Sequence, residues 1–219
     1  GRVQCWVASD DGETGVIAWS SPIPRTPSGL ADGATDVSAG GHKSCAIRTS
    51  GDVVCWGRFS TYGSGDAVPR IVSSLPSPAT SLSIGSYLVC VTSLGKVYCE
   101  PYEDGDTPTP RAGFADGTVQ VATASSWACG LGPFGSVTCR ADLGSAAPTV
   151  ALASGASQIS VGYDAYAGMH APTGCVVTVR AAAMCWGDNS FGQLGDGTTN
   201  DSVSPVTVQG LSGAALVLE

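Results

Sequence analysis

The sequence predicts an all-β fold, a β-propeller built of short four-stranded antiparallel blades. Three observations predict it. Segments echo one another at a spacing of roughly forty residues, which marks an array of small modules; the clearest runs Cys185-Trp186-Gly187-Asp188-Asn189-Ser190-Phe191-Gly192-Gln193-Leu194-Gly195-Asp196-Gly197-Thr198. The cysteines keep the same beat: Cys5 stands alone, pairs follow at Cys45/Cys55, Cys90/Cys99, Cys129/Cys139 and Cys175/Cys185, and the second member recurs after 50, 44, 40 and 46 residues. The chain is rich in Gly, Ser, Thr, Ala and Val and poor in Lys, Glu and Gln, which favours strands joined by tight turns over helices.

The elements follow in order. About five repeats are expected within one domain, 1–219: an incomplete unit over 1–35, complete units over 36–80, 81–118, 119–157 and 158–213, and the start of a further blade at 214–219. If the ring closes, its last blade joins N-terminal strands to the C-terminal strand. Each complete unit opens with a β-prone run: Asp36–Gly40, Ser81–Gly85, Val119–Ala122 and Gln158–Gly162. A hairpin comes next, two β-prone runs around a polar turn. Three-residue turns, such as those around Gly51, Pro133-Phe134-Gly135 and Val179-Arg180-Ala181, place Cys45 opposite Cys55, Cys129 opposite Cys139 and Cys175 opposite Cys185. Cys90 and Cys99 are one residue closer and suit a two-residue turn at Leu94-Gly95. A fourth strand then precedes a loop, as at Pro69–Val72 and Pro205–Val208. Four short antiparallel strands per repeat is the pattern of a propeller blade.

Opposed residues in an antiparallel pair bring their Cα atoms to a spacing that a disulfide tolerates. Four segments with cysteines in register therefore point to four hairpin-stapling disulfides. Metal ligation is the alternative, but ligand sets usually space cysteines two to four apart, often with His. Here the histidines are only His42 and His170. Disulfides imply an oxidising compartment, hence a secreted, periplasmic or surface-displayed protein. Cys5 is left unpaired or intermolecular.

The net charge is −8, with 10 Lys and Arg against 18 Asp and Glu, and the cations form no patch. Phosphate-backbone binding needs clustered cations, so no nucleic-acid partner is expected. Apolar stretches are too short for membrane insertion.

These residues resemble the regulator-of-chromosome-condensation repeat family. The match is closest over Cys185–Gly213, and it is clear over Val37–Gly57, with Gly40-Gly41-His42 and then Gly51-Asp52-Val53-Val54-Cys55-Trp56-Gly57. The resemblance implies a β-propeller of four-stranded blades, and the paired cysteines look like the secreted bacterial branch. The middle repeats depart from the pattern: Glu100 and Arg140 stand where Trp56 and Trp186 stand, and no Gly-Gln-Leu-Gly follows Cys99 or Cys139.

Candidate contact residues fall in two loops. The segment between Gly162 and Cys175 is longer than its counterparts and carries Tyr163, Asp164, Tyr166, Met169 and His170. Insertions in repeat proteins often map to the binding face, and aromatics and Met are enriched in contact surfaces; a tolerated surface insertion reads the same way. Tyr102, Glu103 and Asp104 form a candidate acidic contact loop, although an acidic stretch of this kind is more often a solvated loop. His42 is read as a residue hydrogen-bonded at the ring axis, and Trp6, Trp56 and Trp186 as blade packing. Asp188, Asn189 and Asp196 lack the alternating-oxygen spacing of a calcium loop and suit turn chemistry. No catalytic residue, metal or cofactor is expected. The function that follows is a non-enzymatic extracellular interaction or structural module, an adhesin or envelope component, with a protein partner or a second copy of itself. The resemblance also implies two alternatives. One is a secreted inhibitor of an enzyme such as a β-lactamase, using aromatic loop tips. The other is guanine nucleotide exchange, which the cysteine pairs and acidic balance disfavour.

Overall fold

The computed structural model describes residues 1–8, 20–58, 66–72, 78–86, 88–101, 109–140, 149–162 and 172–211. The chain divides into two compact units, Gly1–Pro110 and Arg111–Glu219. The first begins with β1 (Cys5–Ala8) paired to β2 (Ser20–Arg25). Two meanders follow, each a four-stranded antiparallel sheet in chain order: β3 (Ala34–Gly40), β4 (Lys43–Arg48), β5 (Val53–Gly57) and β6 (Asp66–Ile71), then β7 (Ala79–Ile84), β8 (Leu88–Ser93), β9 (Lys96–Pro101) and β10 (Thr109–Pro110). The second unit repeats the plan twice, with β11 (Gln120–Ala124), β12 (Trp127–Leu131), β13 (Val137–Arg140) and β14 (Thr149–Leu152), then β15 (Ala156–Gly162), β16 (Thr173–Thr178), β17 (Ala183–Gly187) and β18 (Ser202–Thr207).

The central hairpins explain the cysteine spacing. In β4–β5 the pair flanking the turn is hydrogen-bonded, with the Arg48 amide donating to the Asp52 carbonyl at 2.8 Å. Antiparallel pairs alternate between hydrogen-bonded and non-hydrogen-bonded, so the fourth pair out, Cys45 opposite Cys55, is of the close, non-hydrogen-bonded kind. The three-residue turn of β16–β17 does the same for Cys175 and Cys185. The two-residue turn of β8–β9 uses Leu94 and Gly95 at φ 49° and 72°. Positive φ at both positions is what a type I′ hairpin requires, and Cys90 again falls on the fourth pair, opposite Cys99. Cys129 stands opposite Cys139 in β12–β13. All four pairs are bonded, with Cα atoms 4.1, 4.1, 4.0 and 4.1 Å apart in chain order.

Alternation along the strands then divides the residues of each blade between two cores. In the first unit Cys45, Ile47, Val53 and Cys55 pack against Leu82, Ile84, Val89 and Val91 of the next sheet. Ala46, Val54 and Trp56 point the other way, towards Val3 and Leu30, with Cys5 packed alongside. In the second unit Cys129, Leu131, Val137 and Cys139 meet Ile159, Val176 and Trp186. The Cys45–Cys55 and Cys129–Cys139 bridges thus lie in the apolar layer between sheets, on the face turned towards the following one. The tryptophan after the cysteine faces the preceding one.

Within each unit the first strands of the two four-stranded sheets are joined by side-chain hydrogen bonds at equivalent positions. In the first unit the Leu82 amide donates to Asp36 Oδ2 at 2.8 Å, and the Ile84 amide to Ser38 Oγ at 3.0 Å. In the second, Gln120 grips Ile159 with both ends of its amide: its Oε1 accepts from the Ile159 N–H and its Nε2 donates to the Ile159 carbonyl, each at 3.1 Å. Asp36 and Gln120 both lie two residues before the partner of a first hairpin cysteine.

Burial pushes the Asp36 carboxyl above its ordinary value, against the pull of the Leu82 and Val37 amides. A carboxyl whose folded pKa is raised contributes stability below the ordinary carboxylate range, and that contribution is lost as pH rises through the folded value. Asp36→Asn keeps an acceptor and cannot ionise. The stability of the native chain minus that of Asp36→Asn is therefore expected to fall as pH rises through the acid range. Urea midpoints of both proteins across pH 3 to 7 (about four units) measure it; a flat difference sinks the expectation.

Candidate functional site

The Cys-Trp-Gly motif turns the third strand of a blade into its outer loop. Register shifts between Cys55 and Gly57, and again between Cys185 and Gly187, mark a bulge in each repeat. The glycines stand at φ 100° and 110°, where a side chain is strained. Each lies against the start of the second strand: a Cβ on Gly57 would meet the His42 carbonyl oxygen at 2.4 Å, and one on Gly187 the Pro172 carbonyl oxygen at 2.2 Å.

Beyond Gly187 the turn is organised by its own side chains. Asn189 is fully buried. Its Oδ1 accepts from the Leu194 amide at 2.9 Å, and its Nδ2 reaches the carbonyls of Thr198 and Asn200 at 3.1 and 3.0 Å. Asp188 accepts from Ser190 Oγ at 2.6 Å and Gln193 Nε2 at 2.7 Å. Asp196 accepts from the Thr198 amide and hydroxyl, which hold its carboxyl below the ordinary value. The oxygens are spent on turn closure. No group of three or more His, Cys, Asp or Glu that could hold a metal gathers among the described residues. Asn189→Ala is expected to cost about 2 kcal/mol, since it strands the buried Leu194 amide and two loop carbonyls. Urea unfolding measures the loss, and hydrogen exchange at Leu194 should accelerate with it.

Two features of the second unit could serve binding. One is a cavity of ≈ 300 Å³ between its sheets, walled by Trp127, Trp186, Val161, Pro172 and the Cys129–Cys139 bond, with Asp201 at its edge. Gly174 makes room for the Trp186 indole, because a Cβ there would meet Cζ2 at 2.4 Å. The other lies at the opposite ends of the strands. Phe134 caps the β12–β13 turn at φ 59° with its side chain 94% exposed. Its carbonyl accepts from the Gly155 amide, and the Gly155 carbonyl accepts from the Val179 amide, both at 2.9 Å. Val179, in the neighbouring β16–β17 turn, is 73% exposed. Two apolar tips are thus tied together through backbone.

The residues singled out in the sequence distribute unevenly. Tyr163, Asp164, Tyr166, Met169 and His170, and also Tyr102, Glu103 and Asp104, lie outside the described residues. The described chain stops at Gly162 and resumes at Pro172, and Val161 and Pro172 both line the cavity. His42 sits exposed in the two-residue β3–β4 turn at φ 69°. Trp56 and Trp186 are buried, but Trp6 is 57% exposed. Its expected packing role is corrected: the Cys5 side of β1, not the Trp6 side, meets the core. Cys5 is half-buried and its thiol is pushed up by burial. Phe134 escaped notice as a contact residue, although an aromatic at the apex of a Pro-Phe-Gly turn has nowhere to be buried. The cavity had no local signal.

This arrangement has counterparts among known proteins. The family described as Regulator of chromosome condensation (RCC1) repeat matches residues 185–217 and 34–64. A serine/threonine-protein kinase-like protein, CCR2, of Arabidopsis thaliana is 32% identical over 92 residues, 40% of this chain and 12% of that protein. Among solved structures, yeast RCC1 (Prp20), solved with Kap60 bound, superposes with a TM-score of 0.77 at 16% identity, covering 100% of this chain and 60% of that one. Prp20p from Saccharomyces cerevisiae, described with its binding to Gsp1p and histones, gives 0.76 at 17%, covering 98% and 60%. Human WBSCR16 gives 0.72 at 16%, covering 91% and 60%. At these identities the structures speak for the fold alone, and this chain spans about three fifths of their length.

Proposed function

From the premise that this chain is an RCC1-type repeat β-propeller with a disulfide in each of its four-stranded blades, we propose that it is a non-enzymatic protein-interaction module working outside the reducing cytosol, as an adhesin domain or a component of a surface assembly. The observation that carries the reading is the exposure of Phe134, 94%. A residue on left-handed backbone marks the apex of a turn, as at Leu94 and Ala181. Here the turn holds an aromatic ring out in water beside a second apolar tip. Aromatic anchors of this kind dominate interface energetics. The yeast relatives bind proteins, which supports the same direction. The four staples support an oxidising compartment, and the loops carrying Tyr163, Asp164, Tyr166, Met169 and His170, and Tyr102, Glu103 and Asp104, are further proposed contacts.

Cys5 is proposed as a covalent link to a second copy or another protein. Its raised pKa makes it a slow thiol at neutral pH, so a disulfide found there marks a placed partner rather than chance oxidation. Peptide masses of a native, alkylated sample, with and without reduction, test the proposal. The expected result is four intra-hairpin pairs, with Cys5 joined to a peptide of another chain. Free hairpin thiols would overturn the extracellular reading, and alkylated Cys5 would remove the covalent link. Enzyme inhibition is the second reading, favoured by the exposed ring of Phe134. It fails if saturating protein leaves a panel of β-lactamases and other serine hydrolases at full rate. Guanine nucleotide exchange fits poorly with blades stapled by disulfides.

A further inference from the structure

We propose that the cavity between the two sheets of the second unit binds a free small organic cation, an apolar amine with the bulk of a single ring. Its walls are two indoles, aliphatic side chains and a disulfide, and Asp201 stands at the edge. A volume of ≈ 300 Å³ is at the small end of ligand sites, suited to one ring and a short side chain. Apolar walls of this kind bind by excluding water, and the polar group at the edge sets orientation.

Charge selects the occupant. Asp201 Oδ1 accepts from the Asn189 amide at 2.8 Å, which fixes the carboxylate in place while leaving it solvent-exposed. The chain carries a net charge of −8, so its field also favours cations. Indole rings add attraction for an ammonium group brought close to them. An anionic ligand would meet the carboxylate, and a neutral one would leave it unused. A flexible partner side chain could enter the same space, but the enclosure on several sides by two sheets suits a free ligand better than a residue tethered to a second protein.

The Asp201→Asn variant keeps an acceptor for the Asn189 amide and removes only the charge. Calorimetric titration with 2-phenylethylammonium, 2-phenylethanol and 3-phenylpropanoate reads the proposal out. Saturable binding of the amine is expected, about fivefold tighter than the alcohol, the margin an exposed ion pair supplies. The carboxylate should be weakest. In Asp201→Asn the amine should fall to the level of the alcohol, while far-UV circular dichroism stays unchanged. Ala151→Leu, which narrows the cavity from its wall, should weaken amine and alcohol together. The proposal is overturned if the amine shows no saturation, if amine and alcohol bind alike in the native chain, or if Ala151→Leu leaves binding intact. Binding of a lysine-containing peptide but of no free amine would assign the cavity to a partner's side chain and overturn it too.

Discussion

Gly187→Ala is expected to destabilise the protein by about 4 kcal/mol, the sum of a strained backbone and an overpacked contact. At φ 110° the residue lies in a region that only glycine enters freely. The new Cβ would also sit 2.2 Å from the Pro172 carbonyl oxygen and 3.0 Å from Thr173 Cα. Both neighbours are backbone, so neither can swing aside. Relief would require opening the bulge between β17 and β18, and that bulge leads into the Asn189 turn. Gly210→Ala is the control. It has φ 77°, and a methyl group there would meet nothing within 4 Å, so it should cost only the backbone part, about 1 kcal/mol. Urea unfolding of both variants separates the two contributions. Equal losses would mean that the close approach of Gly187 to β16 carries no energy.

Removing the first disulfide as Cys45→Ala with Cys55→Ala is expected to cost about 3 kcal/mol in the chain-entropy account of a ten-residue loop. Both sulfurs also fill the apolar layer facing β7 and β8, so the measured loss should exceed the entropic share. The four bridges span 10, 9, 10 and 10 residues, and their loop contributions are accordingly almost equal. Differences among the four double variants then report how well each site repacks. Urea midpoints in the absence of reductant give the comparison; a first variant as stable as the native chain would show that the bridge adds nothing to a hairpin already set by its turn.

The hairpins were legible because turn length and cysteine spacing are coupled by strand alternation. Nine residues with a two-residue turn and ten with a three-residue turn lead to the same fourth pair. The outer strands were read less well. Pro69 and Pro205 suggested where they begin, yet β6 starts at Asp66 and β18 at Ser202. The Trp-Gly bulge accounts for this, since it returns the chain to the sheet sooner, pairing Gly57 with Asp66 and Gly187 with Ser202. The repeated tryptophans suggest one role for all, and Trp6 departs because it stands on the side of β1 opposite Cys5, away from the core that Val3 and Leu30 form. The cavity was invisible in sequence. Its walls come from β12, β13, β14, β15, β16, β17 and β18, and no spacing rule links Trp127 to Val161 or Asp201.

Every bridge closes within a single hairpin, and this bears on how the oxidised chain is reached. Eight cysteines could combine in about a hundred ways, and proteins whose partners are distant must search and reshuffle among them. Here each thiol meets its mate as soon as its own turn forms, on the microsecond scale of a hairpin, before remote segments arrive. Oxidation can then proceed blade by blade, in any order, with little call for disulfide isomerisation.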